Sequence, residues 1–168
     1  MKKLILALTV VLILAICSTA LAVPNNVTYS TTQKFLSLMD EKELNYSYMG
    51  IDSDNDEKVT VAYTSSSNNY SINVNYFFSE DNEKCSIRVW NFIDFDANKL
   101  EAAYQLCNDM NTTYNYLKFY VDARDNSITV SYDLITRDDD SVADECLEAL
   151  LHIVTICNDC YANFDAIK

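Results

Sequence analysis

Apolar residues recur along this chain with two periods, and the switches between them lay out its elements. Phe35, Leu38 and Met39 return at helical spacing with Leu36 beside them. Ser30 or Thr31 stands ahead as a cap, so a short amphipathic helix is predicted to about Leu44. The period then falls to two. Tyr46 to Ile51 reads as a weak strand, and Val59, Val61 and Tyr63 alternate with Thr60 and Ala62. Tyr70, Ile72, Val74, Tyr76 and Phe78 alternate with polar residues except Phe77, and Ile87 and Val89 alternate with Arg88 and Trp90. Polar turn chemistry at 52–56, 65–69 and 79–83 separates these runs.

Helical spacing returns after Asp96, a good cap, with Ala97, Leu100, Ala103, Tyr104, Cys107 and Met110 on one stripe. A hairpin follows, Leu117, Phe119 and Val121 facing Ile128, Val130, Tyr132 and Leu134 across the turn Arg124-Asp125-Asn126. A last helix runs from about Asp140 to Phe164, with Ala143, Leu147, Leu150, Val154, Cys157, Tyr161 and Phe164 as its stripe. The pattern predicts an α+β domain of order α-β-β-β-α-β-β-α. An antiparallel sheet of about five strands carries three helices on one face. This domain occupies residues 31–168, behind a flexible lead at 23–30.

Residues 1–22 read as an address. Lys2 and Lys3 precede an apolar run from Leu4 to Ile16, and Ala20-Leu21-Ala22 supplies the small residues of a signal-peptidase site. The run is short for a membrane anchor, which takes about 20 residues. Ile16 is large for the position ahead of a lipid-bearing Cys17. The expectation is cleavage after Ala22 and a secreted or cell-envelope location, with no membrane segment in the mature chain.

Composition narrows the chemistry. The chain has 12 Lys+Arg against 25 Asp+Glu. Setting residues 1–22 aside, with their Lys2 and Lys3, leaves 146 residues with a formal charge of −15, which repels nucleic acid and anionic lipid. Gly50 is the only glycine, so loops that cradle phosphate through close backbone approach are absent. His152 is the only histidine, which excludes a multi-histidine metal centre within one chain. No cofactor is expected.

One local stretch carries a resemblance. Leu106-Cys107-Asn108-Asp109-Met110-Asn111 ends a predicted helix. Tyr116-Leu117-Lys118-Phe119-Tyr120-Val121-Asp122 then sets a lysine among aromatics and leads to an acidic turn and to Val130-Ser131-Tyr132-Asp133-Leu134. This arrangement and the element order resemble the YbjN family of bacterial sensory transduction regulators, over roughly residues 31–165. The resemblance implies a fold like that of type III secretion chaperones, with three helices on an antiparallel sheet. It implies no enzymatic activity and no catalytic residues. Many family members look cytoplasmic and richer in glycine, and this chain departs from them on both counts.

Other candidate sites have plain readings. Asp52, Asp54 and Asp56 imitate the start of a calcium loop, but Glu57 stands where glycine should turn the chain and Tyr63 where a bidentate glutamate should close it. An acidic β-turn is the simpler account. Asp138-Asp139-Asp140 suits the start of the last helix. Five cysteines follow residue 22. Cys157-Asn158-Asp159-Cys160 has redox or metal spacing, but it falls late in a helix. Helical phase puts Cys157 about 20° from Cys146 and Cys160 about 40° to the other side, all beside the apolar stripe. Cys107 lies in its own helix's stripe and Cys85 starts a strand, so buried thiols are expected, with disulfides among the five left open. His152 falls on the polar face of the last helix, beside Glu145, Glu148 and Asp159.

Strand parity leaves one feature that these readings do not absorb. If Ile72, Val74, Ile87, Val89, Phe119 and Val130 face the helices, then Phe77, Trp90, Phe92, Tyr116, Lys118 and Tyr120 face away. Five aromatics on an uncovered sheet face mark a contact surface. The expected function is therefore non-catalytic binding to a protein partner, or to a second copy in a homodimer. A calcium-dependent surface module and an enzyme of unrecognised type are the alternatives.

Overall fold

The computed structural model describes residues 23–137 and 140–168. The signal-peptide expectation, and Asp138 and Asp139, lie outside the described residues. Among the described residues are three α-helices, α1 (Ser30–Glu41), α2 (Leu100–Thr113) and α3 (Val142–Cys160). Six strands accompany them: β1 (Ser47–Ile51), β2 (Glu57–Ser65), β3 (Tyr70–Phe78), β4 (Lys84–Asp94), β5 (Lys118–Asp122) and β6 (Ser127–Ile135). One antiparallel sheet holds all six in the order β1-β2-β3-β4-β6-β5. The expected element order stands. The strand beyond the expected five is β1, short and at the sheet's edge, with its register broken between Tyr48 and Gly50.

The apolar alternation of the strands puts one face of the sheet against the helices. Val59, Val74, Tyr76, Phe78, Ile87, Val89 and Ile128 are buried there with Phe35, Leu36 and Met39 of α1 and Ile153, Val154 and Cys157 of α3. The Tyr76 hydroxyl donates to the Cys146 carbonyl at 3.1 Å, tying the middle of the sheet to α3. The buried stripe of α3 also includes Val142, Cys146 and Ala149, while Ala143 and Leu147 are only half-buried. The stripe is thus rotated slightly from the expected one.

Glycine scarcity has a structural counterpart. Asn55, Asn69, Asn82, Asn91 and Asn126 all adopt positive φ, between 51° and 63°, as does Glu43. Asparagine tolerates this region because its short amide bonds locally to backbone. The turns are therefore built from asparagine where other chains would place glycine.

The expected flexible lead is pinned instead. The Glu57 carboxylate, fully buried, accepts from the Thr28 amide at 2.7 Å, the Thr28 hydroxyl at 2.9 Å, the Tyr29 amide at 3.2 Å and the Tyr48 hydroxyl at 2.9 Å. A buried carboxylate is tolerable only when its lone pairs are satisfied, and here residues 28 and 29 satisfy them. The α1 terminus is closed in the same long-range manner. No side chain of its own caps it. Asn82, in the β3–β4 turn, accepts from the Thr31 amide at 3.2 Å and the Thr31 hydroxyl at 3.0 Å. Asp96 likewise makes no side-chain cap, and a 3-10 turn at Ala97–Lys99 leads into α2.

Candidate interaction surface

Among the described residues, the far face of the sheet carries no helix. Register places its side chains in rows. Lys58, Phe77, Ser86 and Asp133 form one row across β2, β3, β4 and β6. Thr60, Asn75, Arg88, Ser131 and Lys118 form the next, reaching β5. Trp90 follows Arg88 along β4, and Tyr120 stands opposite Thr129.

These residues make a defined cluster. The Phe77 and Trp90 rings meet edge to face, centroids 5.4 Å apart at 67°. The Lys58 ammonium lies 5.5 Å from the Phe77 centroid and 5.2 Å from that of Trp90, in reach of a cation–π attraction to both. The Arg88 guanidinium is fixed by Asp133 at 2.8 Å and by the Ile87 carbonyl at 2.8 Å. Asn75, buried beneath them, donates to the Asn73 and Arg88 carbonyls and accepts from the Thr60 hydroxyl. Trp90 is 47% exposed and Tyr120 42%. The floor of this patch is thus hydrogen-bonded and rigid, while its aromatic and cationic tips reach solvent.

Parity placed Phe77, Trp90, Lys118 and Tyr120 correctly, but Phe92 and Tyr116 leave the group. Phe92 is 5% exposed and packs on the helix side. Its ring meets Tyr70, Phe119, Tyr161 and Phe164 at centroid distances of 5.9 to 6.3 Å. A bulge is the cause. The β4–β6 register slips between Val89 and Ile93, with Asn91 in the left-handed region, and the added residues turn Phe92 inward. Tyr116 is exposed but precedes β5, and it stacks on His152 of α3 at 5.9 Å. It therefore belongs to the helix side. His152 is solvent-exposed, as its helical phase indicates, and its partner there is an aromatic ring rather than a nucleophile.

Lys58, Lys84 and Arg88 were not singled out in the sequence, although the parity that locates Trp90 also locates them. Four of the ten cationic residues after Lys3 lie on this face: Lys58, Lys84, Arg88 and Lys118. By the same parity, among the described acidic residues only Asp94, Asp122 and Asp133 do. A strongly acidic protein thus has one face that is not acidic.

The asparagine of the helix-end motif has a structural task. Asn111 donates to the Phe119 carbonyl at 2.8 Å and accepts from the Phe119 amide at 2.7 Å. It stands in for a neighbouring strand and occupies backbone groups on the free edge of β5, an edge that otherwise invites pairing with another chain.

The remaining candidates take plain places. Asp52 accepts from the Asp54 and Asp56 amides at 2.9 and 3.1 Å, so its carboxylate closes its own turn. The β3–β4 turn lies beside it, with Glu80 and Asp81 near Asp54 and Asp56. Among the described residues no group of three or more His, Cys, Asp or Glu is arranged to hold a metal ion. Cys85, Cys107, Cys146, Cys157 and Cys160 are all buried free thiols. Burial pushes Cys107 and Cys160 up to about 12 and holds Cys85 and Cys157 well above the ordinary thiol value, away from the reactive thiolate form. Asn158, between the last two cysteines, bonds to Tyr63, Tyr70 and Asn68 and holds α3 on the β2–β3 hairpin.

An open antiparallel sheet, helices on one side and a cationic aromatic patch on the other, defines a small α+β domain with a free face. The profile of the YbjN family, described as a putative bacterial sensory transduction regulator, matches residues 36–166. The chain belongs to the YbjN family. No curated protein and no solved structure matches it.

Proposed function

We propose that this protein is an exported, non-catalytic binding module that contacts a protein partner through the bare face of its sheet. The observation that carries this reading is the Lys58–Phe77–Trp90 cluster, half-buried at Lys58 and Phe77 and exposed at Trp90, on a rigid, hydrogen-bonded floor. Aromatic side chains presented on fixed backbone lose little entropy on contact, which suits them as anchors. The family's description as a regulator supports binding over catalysis. The basic and apolar run ahead of Ala20-Leu21-Ala22 supports export.

Trp90→Ala tests the reading. Stability should fall by less than about 1 kcal/mol, because a half-exposed ring leaves no buried cavity. Association with a partner or a second copy should weaken by about 2 kcal/mol or more, as central aromatic anchors do. The denaturant midpoint and the association constant, by sedimentation or by binding to a partner purified from the cell envelope, are read on the same variant. A large stability loss with unchanged association would refute the contact surface.

A further inference from the structure

The bare face also states what kind of partner it suits. We infer that it receives an acidic polypeptide segment whose carboxylates alternate with apolar side chains, rather than a second copy of this chain. This rests on the contact-surface reading and goes one step beyond it.

Charge makes the first argument. Lys58, Lys84, Arg88 and Lys118 lie on this face in a chain whose residues after 22 carry −15. At about 0.1 M salt the Debye length is about 10 Å, so acids elsewhere on the molecule are largely screened from a ligand lying on the sheet. What the ligand meets is the local set, four cations against Asp94, Asp122 and Asp133. Among the described residues Arg88 is bound to Asp133 of the same face at 2.8 Å, and Lys84 lies close enough to Asp56 and Asp81 to favour their charged forms.

Geometry makes the second. Lys58 lies over Phe77 and Trp90, so one point offers an ammonium and two aromatic surfaces together. A carboxylate beside an apolar group satisfies both. Lys118 and Tyr120 repeat the pairing two residues apart on β5, both exposed. The same ammonium over Trp90 partly covers the ring that a sugar would need for stacking. A two-fold pairing of bare faces would set these cations against their own copies, at a cost in like-charge repulsion.

Trp90 is the only tryptophan, so its emission reports on the face directly. The purified protein is titrated at 0.1 M salt with a glutamate–alanine copolymer, a lysine–alanine copolymer and dextran sulfate. The glutamate copolymer should change Trp90 emission saturably, and added salt should weaken it. The pair Lys58→Glu with Lys118→Glu should weaken binding by about tenfold or more. Lys42→Glu, one like charge reversal at the exposed end of α1, should not. Circular dichroism of each variant shows that it is folded. A response to the lysine copolymer, equal affinity for dextran sulfate, or equal weakening by Lys42→Glu overturns the inference. If the protein ignores every polymer but self-associates through Trp90, the contact surface stands and the acidic partner falls. If it ignores every polymer and Trp90→Ala alters no association, both fall.

Discussion

The two faces of this sheet are made by the same strands and obey different rules. On the helix side, side chains from distant elements fill one another's gaps, and the Tyr76 hydroxyl is fixed on the Cys146 carbonyl. On the bare side, threonine, asparagine and serine bond along the sheet and leave aromatic and cationic tips in water. Trp90 and Phe92, two positions apart, sit on opposite sides of this divide with a bulge between them. The comparison teaches that residue type alone does not assign a face. An aromatic belongs to the core or to the contact patch according to local register.

The largest test acts on the helix side as a whole. Burial holds the thiols of Cys85, Cys107, Cys157 and Cys160 above their ordinary value of 9.0, and the Tyr76 phenol above its value of 10.0. Their folded-state values are raised, so the unfolded chain loses its protons first as pH climbs. The stability they protect is intact below pH 9 and declines as pH rises from there toward about 12. The denaturant midpoint measured from pH 7 to 11 should be flat at first and then fall steeply; a flat profile throughout would show the thiols to be exposed.

Phe92→Ala comes next and sharpens the contrast with Trp90→Ala. It should cost about 3–5 kcal/mol, since it empties a site lined by Tyr70, Phe119, Tyr161 and Phe164. Thermal or urea unfolding checks it, and a loss no greater than that of Trp90→Ala would place Phe92 on the bare face. Asn111→Ala should cost less, about 1–3 kcal/mol, because it leaves the Phe119 amide and carbonyl without their partner. It should also expose the β5 edge, so hydrogen exchange at Phe119 should accelerate and protein concentration should begin to influence aggregation. The smallest expected effect is that of calcium. At millimolar concentration it should leave the melting temperature unchanged, because the Asp52 carboxylate is engaged by the Asp54 and Asp56 amides. A calcium-specific rise that Asp54→Ala removes would establish an ion site at that turn.

Much of the fold was legible because amphipathic periods are local. The two periods gave the helices and the inner strands, and parity gave the bare face for Phe77, Trp90, Lys118 and Tyr120. Phe92 was misread because a bulge adds residues without changing the alternation seen in the sequence. Tyr116 was misread because it lies before the strand begins, where parity no longer applies. The anchoring of residues 28 and 29 escaped because Glu57 reads as a turn acid until its burial is known.

Sequence by itself determined which segments become helix or strand, and that the cysteines of the helices fall in apolar stripes. These follow from neighbours within a few positions, where the chain's own geometry fixes the outcome. Tertiary structure alone decided that Asn82 caps α1, that Asn111 closes the β5 edge, that Glu57 holds the lead segment, and that Lys58 lies over Trp90. Each of these joins residues brought together by strand order and register, and no local period in a sequence encodes which distant side chains will meet.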